Sequence, residues 1–245
     1  MNALPISRIA LALSLLFGAA AAQAGNYGVS PLDVQFSAQQ KSAVLTVTSE
    51  DKEPISLRLR AMRWTQNDKG EDYYEEASDL IFFPKRLELK AGDKKIVRVG
   101  VNEVPASAER AYRLFLEELA PPTKPGDGVT RLSVLVNIGV PVFVSPPAAK
   151  PGFTIERASV EKNGSLQLQV SNKGNSRLRL SRIVMADGTP VSEAIPSRYV
   201  FPGVSKAYEI AIPRELCRDA KARLRVEAEN ANADADVALP AGCNG

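Results

Sequence analysis

The sequence predicts an all-β protein made of two sandwich domains, and three observations carry that expectation. Segments of apolar–polar alternation recur, as in Ala43–Thr48, Ile55–Met62 and Ile96–Val101. A period of two residues marks a strand with one buried face. Clusters of Gly, Pro, Asn and Asp separate these segments at the short intervals of antiparallel sheets. One proline-rich connector, Ser145 to Pro151, interrupts the pattern, which then restarts. No stretch sustains a helical apolar period, apart from a short turn near Pro213 to Asp219.

Residues 1–24 are set apart as a secretory signal. Arg8 is their only charge, Ile9–Ala22 is an apolar run, and Ala22-Gln23-Ala24 is a small-x-small cleavage site. A membrane anchor is the alternative, but the run is shorter than the ~20 residues a spanning helix needs. Cleavage after Ala24 would leave Gly25–Gly245 in an exported compartment, where disulfides persist. Cys217 and Cys243 then fit a mutual disulfide better than two inert thiols or an intermolecular link.

The first domain is expected over residues 25–146. Ala43–Thr48 and Ile55–Met62 flank a turn at Asp51–Pro54, and Asn67–Gly70 is a second turn. Leu87–Leu89 runs into a turn at Lys90–Asp93, followed by Ile96–Val101 and Tyr112–Leu116. A loop of turn formers, Pro121–Gly128, precedes a long strand from Thr130 to Val144. The second domain is expected over residues 147–245. It opens with a hairpin at Lys162–Ser165, whose Asn-Gly pair explains the residues better than a glycosylation sequon. Leu166–Val170, Leu178–Val184 and Leu224–Glu229 are its strands, with a turn at Ala186–Gly188. Each unit has the size of an immunoglobulin-like sandwich, ~100 residues.

Composition excludes much chemistry. With no His and two Cys among 245 residues, there is no imidazole base, no His-activated nucleophile and no all-thiolate zinc site. A net charge of +3 with interspersed signs is no footprint for nucleic acid. Glu75-Glu76 and Glu117-Glu118 read as solvated charges rather than a catalytic pair. Asn67–Asp72 lacks the alternating acids of a calcium loop and reads as a polar hairpin. Tyr73-Tyr74 and Phe82-Phe83 read as half core and half rim. No enzyme activity, cofactor, metal or small-molecule substrate is expected.

The segment Leu132–Val144 carries an aliphatic residue at every even position. A central core strand is the plain reading. Pro141, which has no N–H, favours an edge instead. An aliphatic edge is an aggregation hazard unless a partner uses it, and the natural use is strand donation.

These residues resemble the periplasmic chaperones of chaperone–usher pilus assembly, the PapD-like family. The resemblance is carried by Val29-Ser30-Pro31, by Leu87-x-Leu89-x-Ala91-Gly92 with Val97-Arg98-Val99, by Ala111–Leu119 with Pro121, and by Val142-Phe143-Val144-x-Pro146. It implies two immunoglobulin-like domains in an L-shape. It also implies a non-catalytic periplasmic protein that caps pilus or fimbrial subunits and delivers them to an outer-membrane usher. By position, Leu132, Val134, Val136 and Ile138 would enter the subunit. The free protein could cap itself as a dimer through the same edge. The family anchors the subunit's C-terminal carboxylate with an Arg and a Lys at positions that are Asp33 and Pro141 here, leaving Arg113 and Arg98 as basic candidates. Ser145 replaces an Arg that contributes to the family's interdomain ion network. The Val-Pro-Val-Phe-Val ending resembles the archaic or sigma-type branch. A secreted tandem immunoglobulin-like binding or adhesion module is the second reading, and would need an exposed aromatic platform.

Overall fold

The computed structural model describes residues 27–121, 134–192, 195, 199–213 and 221–240. Residues 1–24, expected above to be a secretory signal, and both cysteines, Cys217 and Cys243, lie outside them. Among the described residues there are strands and no helix. They are β1 (Tyr27–Ser30), β2 (Val34–Phe36), β3 (Ser42–Ser49), β4 (Ile55–Gln66), β5 (Asp72–Glu76), β6 (Leu80–Phe83), β7 (Arg86–Leu89), β8 (Lys94–Val101), β9 (Arg110–Glu118) and β10 (Asn137–Val144) in the first domain. The second domain holds β11 (Phe153–Val160), β12 (Ser165–Asn172), β13 (Leu178–Met185), β14 (Pro190–Ser192), β15 (Tyr199–Val200), β16 (Ser205–Ala211), β17 (Lys221–Ala228) and β18 (Ala231–Ala238).

Each domain is an immunoglobulin-like sandwich. In the first, a sheet of order β1-β3-β8-β6 faces one of order β2-β10-β9-β4, with β7 and β5 both paired to the long β4. In the second, β11-β12-β16 faces β14-β13-β17-β18, and β15 pairs with β13. Alternation sets the cores. Leu45, Val47, Leu57, Leu59, Val97 and Val99 fill the first, and Leu166, Leu168, Val170, Leu180 and Val226 the second.

Three hairpin turns share one chemistry. At Asn67, Glu161 and Met185 the residue exchanges backbone bonds across the turn, and a glycine three places on donates back to it. That glycine has a φ of +76° at Gly70, +80° at Gly164 and +89° at Gly188. Left-handed backbone favours glycine there.

The structure departs from the sequence reading at two strand ends. Pairing on the long strand starts at Asn137, not Thr130, because its neighbour β9 ends at Glu118; residues 134–136 are not in a ladder and 130–133 lie outside the described residues. The second domain does not close with Leu224–Glu229. Ala231–Ala238 pairs along the whole of β17, an alternation of small and acidic residues whose single buried aliphatic is Val237.

The domains are joined through shared packing and a buried ion pair. Trp64, Ala111 and Phe143 of the first domain belong to the same apolar cluster as the second domain's core. Gln66 accepts from Phe201 N at 3.0 Å and donates to Tyr199 O at 3.1 Å, acting as a short surrogate strand. Arg177 Nη1 lies 2.7 Å from Glu109 Oε2, both almost fully buried, with the guanidinium 3.6 Å above the Phe143 ring. Ser145 donates its hydroxyl to the same carboxylate at 3.3 Å. An interdomain ion network thus exists with Ser145 in it.

Candidate functional site

The site is built on β10. Its antiparallel register against β9 runs from Asn137 opposite Glu117 to Val144 opposite Arg110. On the other side, only Val142–Val144 pair with β2, in parallel. Alternate residues of a strand present their backbone groups to opposite sides. Glu118 N donates to Val136 O, and Ser145 N donates to Phe36 O. Even-numbered residues therefore bond to β9, and odd-numbered ones face β2. Beyond the end of β2, Asn137 and Gly139 face an open edge with no described strand beside it. Pro141 is odd-numbered, so its missing N–H costs the β9 ladder nothing.

The side chains divide the same way. Val140, Val142 and Val144 are buried in the first domain's core, while Val136 and Ile138 are half-buried at its margin. Val134 is 50% exposed. One aliphatic row thus begins inside the domain and runs out of it. Tyr27 tethers the transition: its hydroxyl donates to Leu116 O at 2.6 Å and to Val136 O at 3.3 Å. Glu118 Oε2 accepts from Val136 N at 3.0 Å. Burial pushes the Tyr27 phenol up to about 12, which keeps it a hydrogen-bond donor. Leu132 lies outside the described residues.

The odd-numbered face of β10 looks onto the interdomain cleft. Phe115 sits on Gly139 so closely that a Cβ there would lie 2.9 Å from its ring, which is why this position holds glycine. From Phe115 a wall of aromatic rings continues through Tyr74 and Trp64 to Phe143, Tyr199 and Phe201, with centroids 4.8–6.1 Å apart. Such offset and edge-to-face contacts add ~0.5–1.5 kcal/mol per pair beyond burial. Trp64 is buried and is no exposed platform.

Between the wall and the second domain lies a cleft of about 340 Å³. Arg113 enters it from β9, directly opposite Pro141. Its guanidinium lies 4.3 Å from the Trp64 ring centroid and donates to Gly139 O at 3.3 Å. Arg113, one of the two basic candidates left by the sequence, therefore stands beside Pro141. Arg179 and Lys206 enter from the second domain, and among the described residues Asp72 is the one acid in the lining. Burial holds the Lys206 ammonium below its ordinary pKa, opposed by the charge of Asp72. Arg98 is elsewhere: it is exposed on β8 in the opposite sheet, between Val44 and Phe83, and is not brought together with Arg113.

Sequence reasoning missed Lys206, Arg179 and the interdomain role of Trp64. A signal for Lys206 was present. In Lys206-x-Tyr208-x-Ile210 the lysine shares the inward phase of β16, and it is 8% exposed.

Residues 28–150 match the sequence family described as pili and flagellar-assembly chaperone, PapD N-terminal domain. No curated protein matches the sequence. Among solved structures, the chain is similar to one in the CsuC–CsuE chaperone–tip adhesion subunit pre-assembly complex, from the archaic chaperone-usher Csu pili of Acinetobacter baumannii. The TM-score is 0.60 at 18% identity, covering 86% of this chain and 98% of that one. It is also similar to the E. coli chaperone DraB, with a TM-score of 0.56 at 17% identity over 89% and 98%. A chain of the Salmonella enterica SafA pilin–SafB chaperone complex gives the same four values.

Proposed function

The chain belongs to the family of pili and flagellar-assembly chaperones, and from that premise we propose that it caps pilus or fimbrial subunits by strand donation. In this reading the segment ending in β10 lies beside an incomplete subunit sandwich. Val134, Val136 and Ile138, with Leu132 upstream, fill the subunit's groove. The open backbone edge at Asn137 and Gly139 supplies register, and Arg113 anchors the subunit's terminal carboxylate. The work takes place in the periplasm after signal removal, and the subunit passes to an outer-membrane usher. No turnover chemistry is involved.

The observation that carries this reading is the single aliphatic row that leaves its own core along an unpaired edge. A fully buried aliphatic side chain contributes ~1.5–3 kcal/mol, so three or four are enough to hold a subunit against ordering costs. Backbone pairing adds direction more than net energy. An exposed hydrophobic edge of this kind is otherwise an aggregation liability.

The test is co-expression with a subunit encoded beside this gene, using Val134→Glu and Val136→Glu. Both variants are expected to fold and to lose the soluble one-to-one complex. Unchanged complex yield would sink strand donation. The tandem binding-module reading has its platform residue, Trp64, buried in the domain joint, and nothing in the site favours it.

A further inference from the structure

Resting on the subunit-binding reading above, we propose that Asn175 is a positioning residue for subunit capture. It is not among the residues that line the cleft. It pins the second domain both to the connector that leaves β10 and to the segment that enters β9. The angle between the two walls of the cleft is set by that pin.

Asn175 lies on the connection between β12 and β13, and its hydrogen bonds all leave that connection. Its amide Nδ2 donates to Ser107 O in the first domain and to Ala148 O in the connector, each at 2.9 Å. Lys150 N donates to its Oδ1 at 2.6 Å. Its backbone N donates to Lys150 O at 3.1 Å, and its carbonyl accepts from Glu109 N at 2.8 Å. An Asn side chain has one carbonyl acceptor and two amide protons, and here both kinds are spent across the joint. Bonds in so exposed a place add little to stability, because water can replace them. What they supply is direction.

The neighbouring residues make room for this arrangement. A Cβ at Gly174 would collide with Lys150 O and stand 2.8 Å from Gly152 N, so the connector can lie there only against glycine. Gly152 O accepts from Lys173 N and Gly174 N, both at 3.0 Å. Pro146, Pro147 and Pro151 stiffen the connector. Holding it at Ala148 and Lys150 therefore sets its course from the end of β10 to the start of β11.

The same joint feeds the strands that flank the cleft. Glu109 leads directly into β9, which carries Arg113, and Arg177 leads directly into β13, which carries Arg179. Glu109 Oε1 accepts from Arg177 N at 3.1 Å, beside the buried ion pair. Residues 107–109 and 175–177 thus run side by side across the domain boundary. The ion pair sets their register, and Asn175 ties that register to the connector and so to β10. A subunit that meets β10 and the second domain together binds best when their relation is fixed beforehand, because ordering a loose joint costs affinity.

The test uses the intact protein with Asn175→Ala, which removes the side-chain bonds and keeps both backbone ones. Lys173→Ala is the control, since that ammonium pairs with Glu156 inside the second domain. In the free protein, small-angle scattering is expected to show a broader spread of interdomain distances for Asn175→Ala. Acrylamide is expected to quench Trp64 faster than in the parent, because this single Trp is buried where the two cores meet. Thermal melts are expected to match the parent, as both cores are untouched. If the competent angle falls to about a tenth of the population, complex yield with the subunit encoded beside this gene falls about tenfold. The control is expected to match the parent in every measurement. Unchanged scattering and quenching overturn the proposal without reference to any subunit. A loosened joint with full complex yield overturns the positioning role, and a melt lowered in step with the yield makes Asn175 a residue of stability instead. Val134→Glu lies outside the joint and is expected to lose the complex with scattering and quenching at parent values. A failure of strand donation and a failure of the pin therefore give different patterns.

Discussion

The two halves of the segment Val134–Val144, which is β10 with the residues leading into it, carry the same aliphatic row on the same face, yet only one is structural. From Val140 to Val144 the row is buried, and from Val142 on the strand has neighbours on both sides, β9 and β2. From Ile138 back to Val134 the residues are no less apolar, but β2 has ended and the opposing core thins out. Residue type does not distinguish them. What differs is whether a second strand and a second sheet are present, which is a property of the fold around the strand. An apolar side chain contributes to stability only where something covers it, so the outer half is free to serve a partner.

The sharpest way to break this comparison is to put the same charge into each half. Val142→Asp buries an unpaired carboxylate between β2 and β9 and is expected to cost more than ~4 kcal/mol. Urea titration should show the first domain largely unfolded. Val134→Glu is expected to stay within ~0.5 kcal/mol of the parent. Comparable losses from the two variants would mean that the outer half is core as well.

The buried half also has an odd-numbered side, where Phe143 supports the guanidinium of Arg177. Arg177→Met removes the cation and leaves Glu109 buried with, among the described residues, the Ser145 hydroxyl and the residue-177 backbone N–H as donors. Breaking a buried pair this way typically costs 3–5 kcal/mol. Thermal melts should show it, with Glu109→Gln in the same background restoring part of the loss.

The aliphatic row was legible in the sequence because a period of two survives any tertiary context. So were the sandwich class and most turns, because Gly and Pro act locally. The limits of the row were not, since they depend on where β9 and β2 end. Pro141 did signal an edge, but it could not say that its missing N–H would point to the open side. The basic cleft was illegible for another reason. Arg113, Arg179 and Lys206 lie on strands of two domains, and only the joint through Trp64, Gln66 and Glu109 brings them together. Ser145 looked like the loss of an ionic contact, yet its hydroxyl joins a pair made by residues that no local pattern marks.

Within the outer half, Gly139 tests how tightly the odd-numbered face is packed. Gly139→Ala drives a Cβ to 2.9 Å from the Phe115 ring, and overpacking of this kind costs ~1–3 kcal/mol. Phe115→Leu in the same chain should relieve most of it. If the alanine variant is as stable as the parent, the Phe115 ring is free to swing and the aromatic wall is looser than its contacts indicate.

Two tyrosines set the smallest contrast, one in each half. Tyr112 lies opposite Val142 and donates to Asp79 at 2.6 Å, and Tyr27 ties down Val136. Burial raises both phenols from 10.0 to about 12, with Asp79 adding to the effect at Tyr112. Between those pH values the unfolded chain has released protons that the folded chain keeps, so stability falls as pH rises through the window. Tyr112→Phe and Tyr27→Phe should each flatten part of that fall. Their other consequences separate. Removing the Tyr27 hydroxyl costs ~0.5–1.5 kcal/mol, and it frees the backbone at Val136. Hydrogen exchange should then quicken at Val136 and Ile138 while Val142 keeps its protection. Equal quickening at all three would mean that β10 opens as one unit, and that the two halves share a single stability.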